Sequence, residues 1–473
     1  MANPDVPLPS NSGGSAGRLV GGSTSQTAQR GADWPGARSG STLCRAQAPE
    51  DCLGRAHLCT LSKAPDTNQR TFQPVLRASL PPVAPISPPA ITSSNFFSAE
   101  RSRSNLPTLE TRADYLRRQR TEFGRTLFGV FPAQYPREIL WALGALPVEI
   151  WDPPLEVAAA GAHLQPTICS VAQLGLELIL QGRCDDLDGF LFPHTCDSLQ
   201  NLASLVHDCI GQDKPCHFFY NPKAPYGDAS RRYYRAQLEA LARRLEGQLG
   251  PLDEGRLRQA VALGQRVSGL LRELYARRAR WELTMSAAEF YRLVRRGEYL
   301  HPEDFAPLLG EVLASTETPS SPPRGPVVVL SGILPNPPEL LTCFDDLEVR
   351  VGHDDLLACR RRIPDLPVAI EDPWEALVEN YFGLPPCSTR NSPLAERRDH
   401  LLGLVESCGA RGVIFNVVKF CETELFDVPP LVAELKKRGV ASLILESELN
   451  AGLSGQLATR VEAFVEMLEQ GAP

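Results

Sequence analysis

In two separate stretches of the chain, short runs rich in Val, Ile, Leu and Phe alternate with amphipathic segments of helical length. This alternation predicts βαβ units and parallel sheets. In the first stretch it predicts a charged helix at Arg112–Arg120, an apolar helix at Ile139–Leu146, a strand at Val148–Trp151, a helix at Val171–Leu180, a strand at Gly189–Phe192, a helix at Ser198–Cys209 and a strand at Cys216–Tyr220. In the second it predicts strands at Val327–Leu330, Leu347–Val351, Val413–Val418 and Ser442–Leu445, with helices at Leu394–Cys408, Leu431–Arg438 and Thr459–Glu469. Between them, Ser230–Leu313 reads as helical throughout: Leu238, Leu241, Leu245 and Leu249 share one face, Gly250-Pro251 stops that helix, and Asp253 can cap the next. The arginines of this region read as its solvated face. The expected fold class is α/β, with two doubly wound (Rossmann/flavodoxin-like) parallel-sheet lobes, residues 105–228 and 326–473, joined by a helical region and Pro/Ser/Thr linker, 229–325.

Residues 1–104 have a different composition, dominated by Gly, Ser, Pro, Thr, Gln and Ala, and cannot bury enough apolar surface to offset chain entropy. A disordered extension is expected there. Its Gly13-Gly14-Ser15-Ala16-Gly17 fits the G-x-S-x-G nucleophile pattern but lacks the preceding strand that the nucleophile turn requires. With 48 Lys and Arg against 56 Asp and Glu, the net charge of −8 provides no global cationic field for nucleic acid or an anionic membrane. No apolar run approaches the roughly 18 residues of a spanning helix, and no secretory signal pattern is seen, so a cytoplasmic location is expected. The P-loop, G-x-G-x-x-G and H-E-x-x-H patterns are missing, which removes support for nucleotide hydrolysis, ordinary dinucleotide binding and zincin chemistry.

Thirteen cysteines, an odd number thinly spread, do not form a secreted disulfide framework and are expected to be reduced. There is no C-x-x-C, so any metal site must be assembled from distant residues. Three cysteines occupy similar local settings: Cys169 opens a helix, Cys196 follows a strand and opens a helix, and Cys421 follows the strongest strand of the second stretch. Each would project into the crevice beyond the carboxyl ends of a parallel sheet, where ligands bind, at a helix N-terminus that lowers a thiol's pKa. Cys387, in Pro385-Pro386-Cys387-Ser388, is the reserve candidate. Cys184, Cys209, Cys216, Cys343, Cys359 and Cys408 read as small buried hydrophobes, and Cys44, Cys52 and Cys59 as incidental. Asp354-Asp355 and Glu446-Ser447-Glu448 read as surface or capping acids.

Several short motifs, in order, resemble one family. They are Gly129-Val130-Phe131 with Tyr135-Pro136-Arg137-Glu138-Ile139, Ala145-Leu146-Pro147-Val148, Ile168-Cys169-Ser170, Thr195-Cys196-Asp197, Val351-Gly352-His353-Asp354-Asp355, Gly412-Val413-Ile414, Lys419-Phe420-Cys421-Glu422 with Leu425-Phe426-Asp427, and Thr459-Arg460-Val461-Glu462-Ala463-Phe464. The chain from about Phe128 to Leu468 is thereby similar to the iron-sulfur subunits of 2-hydroxyacyl-CoA dehydratases and ATP-dependent benzoyl-CoA reductases, and its length is that of the beta-type subunit.

The resemblance implies a [4Fe-4S] cluster held by Cys169, Cys196 and Cys421, with one iron free of a protein ligand. It also implies a paralogous alpha-type subunit or a second copy as partner, an ATP-hydrolysing iron-sulfur activator protein as one-electron donor, and an acyl-CoA substrate dehydrated through a ketyl radical anion. Two features depart from the family: the N-terminal extension, and Ala133 where an alpha-type subunit would carry a serine able to hydrogen-bond a thioester. The second departure favours a chain that relays electrons while its partner binds substrate. A benzoyl-CoA reductase-type or double-cubane-cluster reductase, and a non-catalytic scaffold, are the alternatives.

Overall fold

The computed structural model describes residues 110–471 apart from 212, 316–317, 320–323 and 366–368. The 1–104 extension, with its Gly13–Gly17 motif and three cysteines, and part of the Ser315–Pro326 linker lie outside the described residues.

The first lobe runs α1 (Arg112–Thr121), β1 (Thr126–Val130), α2 (Arg137–Ala142), β2 (Ala145–Glu149), α3 (Ser170–Leu180), β3 (Gly189–Pro193), α4 (Asp197–Ser204) and β4 (Cys216–Phe219). A helical region follows, α5 (Asp228–Leu249), α6 (Glu254–Ala279), α7 (Ala287–Arg295) and α8 (Pro302–Ser315). The second lobe comprises β5 (Val327–Gly332), α9 (Pro338–Asp346), β6 (Arg350–Leu356), α10 (Pro373–Phe382), α11 (Leu394–Cys408), β7 (Gly412–Val418), α12 (Glu422–Lys437), β8 (Ala441–Ser447) and α13 (Gly455–Glu469).

Each lobe carries a four-stranded sheet, ordered β2-β1-β3-β4 and β6-β5-β7-β8, with every neighbouring pair parallel. The two lobes thus repeat one topology, and in each the strand order reverses beside the first strand. Both sheets are sandwiched. In the second, Val327, Val329, Val413 and Phe415 face Leu401, Val405 and Leu431 of α11 and α12, while Val328, Leu330 and Ile414 face the opposite core. A parallel strand with both faces covered reads as a continuous apolar run, and all seven residues of β7 are buried. Each such large side chain contributes about 1.5–3 kcal/mol of transfer free energy. One core cluster extends from Tyr115 of α1 through α6, α7 and α8 to Leu468 of α13, tying both sheets to the helical region.

Several boundaries differ from expectation, some for a local reason. The helix expected to Leu146 ends at Ala142 because Gly144 turns left-handed at φ 76°, so the strand starts at Ala145 rather than Val148. The strand expected at Leu347–Val351 lies at Arg350–Leu356, after a left-handed Glu348. The helix α12 starts directly after Cys421 and continues through Pro429 and Pro430, instead of beginning near Leu431. The helices α9 and α10 have no counterpart among the expected elements. Both carry Pro at N1, a residue whose fixed φ suits a first turn but which also reads as loop.

Candidate functional site

The three cysteines singled out from the sequence are the N-cap residues of α3, α4 and α12. Cys196 and Cys421 are each placed by the turn from a strand end into a helix. The chain leaves β3 at Pro193 and enters α4 at Asp197, with Thr195 Oγ1 donating to the carbonyls of Pro132 at 2.7 Å and Ala133 at 3.1 Å. Ala133 and Gln134 are held left-handed, at φ 82° and 59°, which folds the segment after β1 under the Cys196 turn. The chain leaves β7 at Val418 and turns through left-handed Phe420 (φ 63°) to Cys421, whose Sγ lies 3.4 Å from Thr423 Oγ1. Cys196 and Cys421 follow the third strand of their lobes, and Cys169 follows the long loop after the second strand of the first. Cys387 follows the second strand of the second lobe, the position corresponding to Cys169.

An ionised Cys196 opposes ionisation of Cys169, and both oppose ionisation of Cys421. The expected lowering by the helix ends does not prevail. Burial pushes the Cys169 thiol up to about 12, with Cys196 adding to the rise, against the opposing N–H groups of Ala172 and Val171. Burial likewise raises Cys196 and, together with Cys169 and Glu424, raises Cys421 well above the ordinary thiol range. Desolvation of an anion exceeds what a few N–H dipoles return. Cys387 behaves differently. Burial would raise it, but Arg361, Arg397 and Arg390 outweigh burial and hold it below the ordinary value, and its Sγ lies 3.1 Å from Thr389 Oγ1.

Among the described residues, no three His, Cys, Asp or Glu side chains close on a single metal-ion position. A lone zinc would require all its thiolates about 2.3 Å from one point. The ligands of a cubane sit on different irons and stand farther apart. Three partly to fully buried thiols, drawn from helix N-termini in both lobes, are a donor set that fits a cluster.

Around this set lies a layer of buried charge that sequence reading missed. Asp355, expected at the surface, is buried and receives Arg361 Nε and Nη2 at 2.7 Å each and Arg397 Nη2 at 3.2 Å. Arg361 also reaches Glu424, one turn beyond Cys421, at 2.6 Å, and Glu424 accepts from Ser388 Oγ at 2.6 Å. Asp354 is buried too, accepting from the N–H groups of Leu356 and Arg360. Glu446 and Glu448 are exposed as expected. Of the arginines assigned to solvent, Arg278 is buried with its Nε on the Val351 carbonyl at 2.7 Å. Of the cysteines assigned to the interior, Cys209 is exposed. Burial of paired charge leaves no local signature, since Asp355 and Arg361 are acid and base like any others until the fold brings them together.

Glu149, at the end of β2, joins the lobes. Its carboxylate accepts from Tyr135 Oη at 2.8 Å, Arg137 Nη2 at 2.5 Å and Trp151 Nε1 at 2.7 Å, and from Arg362 of the second lobe. Beside it, a cavity of about 140 Å3 is lined by Gln134, Arg137, Glu138, Trp141, Arg362 and Tyr381, among others. No helix among the described residues is long and apolar enough to cross a membrane.

Residues 132–468 match the 2-hydroxyglutaryl-CoA dehydratase, D-component family. The chain is 27% identical over 353 residues to the lactoyl-CoA dehydratase subunit beta of Anaerotignum propionicum, covering 74% of this chain and 93% of that protein. It is 24% identical to the (R)-2-hydroxyglutaryl-CoA dehydratase subunit beta of Acidaminococcus fermentans, over 73% of this chain and 93% of the relative. To one of the subunits of benzoyl-CoA reductase from Thauera aromatica it is 25% identical, over 73% of this chain and 91% of that protein.

Proposed function

Because the chain belongs to the 2-hydroxyglutaryl-CoA dehydratase, D-component family, we propose that it is the beta-type iron-sulfur subunit of a cytoplasmic, ATP-activator-dependent radical 2-hydroxyacyl-CoA dehydratase. The observation that supports this reading is that Cys169, Cys196 and Cys421 are each a helix N-cap, with the ionised forms of the first two opposing ionisation of Cys421. These thiolates would hold a [4Fe-4S] cluster, which when bound supplies a one-electron store for the radical elimination of water from the acyl-CoA. The protein's own residues fix the ligand frame. Thr195 pins the Cys196 turn onto the Pro132–Ala133 carbonyls, and Glu424, bound to Arg361 and Ser388, anchors the first turn of α12 behind Cys421.

One observation supports a relay rather than the substrate-binding half: Ala133 is fully buried and presents a methyl group where a hydroxyl would be needed. The partners are then an alpha-type paralogue or a second copy, and the activator protein. The similarity to a benzoyl-CoA reductase keeps a reductase of the same architecture as the second reading.

The test is iron and acid-labile sulfide content, with EPR after reduction, on protein purified without oxygen. About four irons per chain and a reducible cluster signal are expected. About eight would favour the double-cubane reading, and folded protein that takes up no iron would overturn the assignment. The variant Cys421→Ala is expected to hold sub-stoichiometric iron; full loading would remove Cys421 from the ligand set.

A further inference from the structure

Lys223, in the loop between β4 and α5, points its ammonium at main-chain oxygens only. Nζ donates to the carbonyls of His194 at 3.0 Å, Thr195 at 2.9 Å and Thr389 at 2.6 Å. An ammonium has three donors, and all three are used. Among the described residues, no carboxylate lies within ion-pair distance of it. Of the neighbouring cations, Arg361 and Arg397 pair with Asp355, Glu424 and Asp427, and Arg137 and Arg362 pair with Glu149, whereas Arg390 donates to the carbonyls of Tyr381, Leu384 and Pro385. A cation partly withdrawn from water and met only by carbonyl dipoles is unfavourable unless an anion shares its surroundings. Two of its three acceptors belong to the residues immediately before Cys196, and its charge acts on Cys196 and Cys387, with Asp197 and Arg390 the other charged groups facing it.

We propose that Lys223 is the counter-charge of the cluster held by Cys169, Cys196 and Cys421, an inference that rests on the cluster assignment above. Three thiolates leave such a cluster net negative, and an added electron makes it more so. A fixed positive charge beside one ligand therefore stabilises the reduced form more than the oxidised form and raises the reduction potential, because net charge and hydrogen bonding around the sulfurs set that potential. Lys223 also joins the Cys196 turn of the first lobe to the Thr389 loop of the second, so a purely structural role is the reading it must be separated from.

The experiment uses the whole chain, purified without oxygen and reconstituted with iron and sulfide. It compares wild type, Lys223→Gln and Lys223→Arg by iron content and by EPR-monitored redox titration. The Gln variant keeps hydrogen-bond donors without the charge and is expected to load iron as wild type does, with its midpoint moved to more negative potential. The Arg variant is expected to titrate close to wild type. A Gln variant that titrates at the wild-type potential overturns the proposal. If the Gln variant loses its iron, the Arg variant decides: full loading at the wild-type midpoint sustains the charge role, whereas a folded Arg variant that is iron-poor or displaced in potential assigns Lys223 to loop geometry. Wild-type protein that binds no iron would instead refute the underlying function, a result distinct from all of these.

Discussion

Asp355 is buried at 2% exposure between two guanidinium groups, and it shows how much of this molecule depends on charges placed inside it. Burial pushes its carboxyl up, but Arg361 and Arg397 outweigh burial and hold it well below the ordinary carboxylate range. Removing one member of such a network leaves uncompensated charge in a low-dielectric interior. Asp355→Asn is expected to cost about 3–5 kcal/mol of stability, read from the denaturant midpoint in urea. A change under about 1 kcal/mol, the range of exposed pairs, would mean that the network is not closed in solution. Two residues earlier, His353 stacks on Tyr275 with ring centroids 5.3 Å apart, and burial, followed by Arg360, pushes its imidazole down to about 3. The unfolded chain therefore binds a proton near pH 6.5 that the native chain refuses until about pH 3. Stability contributed by neutral His353 is present above the unfolded value and is lost as pH falls through that window. Its neighbour Asp354, raised by burial to about 6, acts in the opposite sense, so the comparison must be made by difference. Between pH 7.5 and pH 5, wild type is expected to lose more melting temperature than His353→Phe; equal losses would show that His353 titrates normally in the fold.

At the scale of elements, the functional side chains depend on close approach between strands at their carboxyl ends. Gly332 closes β5 at φ 148°, and a Cβ there would run into the carbonyl oxygen of Asn416 in β7, the strand that leads to Cys421. Asn416 in turn donates its Nδ2 to the carbonyls of Leu334 and Asn336, fixing the loop that follows β5. Gly332→Ala combines backbone strain with a backbone clash and is expected to destabilise by on the order of 3 kcal/mol, with a matching fall in reconstituted iron. Unchanged melting with full iron would show that β5 and β7 can separate there without consequence. The elements themselves are largely legible in the sequence because their signals are local. Continuous apolar runs mark β3, β5 and β7, and the helix starts at Cys169 and Cys196 follow from where periodicity resumes. The failures are local as well: Gly144 ends α2 early, and prolines at the head of α9, at the head of α10 and inside α12 suggest loop where the structure tolerates them in helices. The buried charge is not legible, because Arg361 with Glu424 and Arg362 with Glu149 are separated by 63 and 213 residues. A pattern of period two or 3.6 cannot report such pairings. The twofold repetition of the strand order also escapes the sequence, since the lobes share topology without sharing motifs.

For the whole molecule, the consequence of that repetition is that the proposed ligand set is divided between the lobes. Cys169 and Cys196 come from the first and Cys421 from the second. The lobes are joined without the cluster through Glu149 with Arg362, through Lys223 with Thr389, and through Asn336 Nδ2, which donates to Asp152 at 2.7 Å. The fold can therefore form empty, and a cluster on the proposed ligands would add a cross-link rather than a nucleus. Anything bound to the native state and not to the unfolded state stabilises by mass action, and metal binding becomes folding free energy when its ligands are brought together only by folding. Wild-type protein loaded with iron and sulfide is expected to melt several degrees above the same protein stripped anaerobically with a chelator, in one transition rather than two, because the cross-link spans both sheets. Cys421→Ala, which cuts the second lobe out of the ligand set, is expected to melt near stripped wild type whether or not iron and sulfide are supplied. If loaded and stripped wild type melt together, the cluster is not held across the lobes. If Cys421→Ala gains as much from iron as wild type does, the second-lobe ligand is another residue, and Cys387, the thiol that three arginines hold below its ordinary value, becomes the first to substitute.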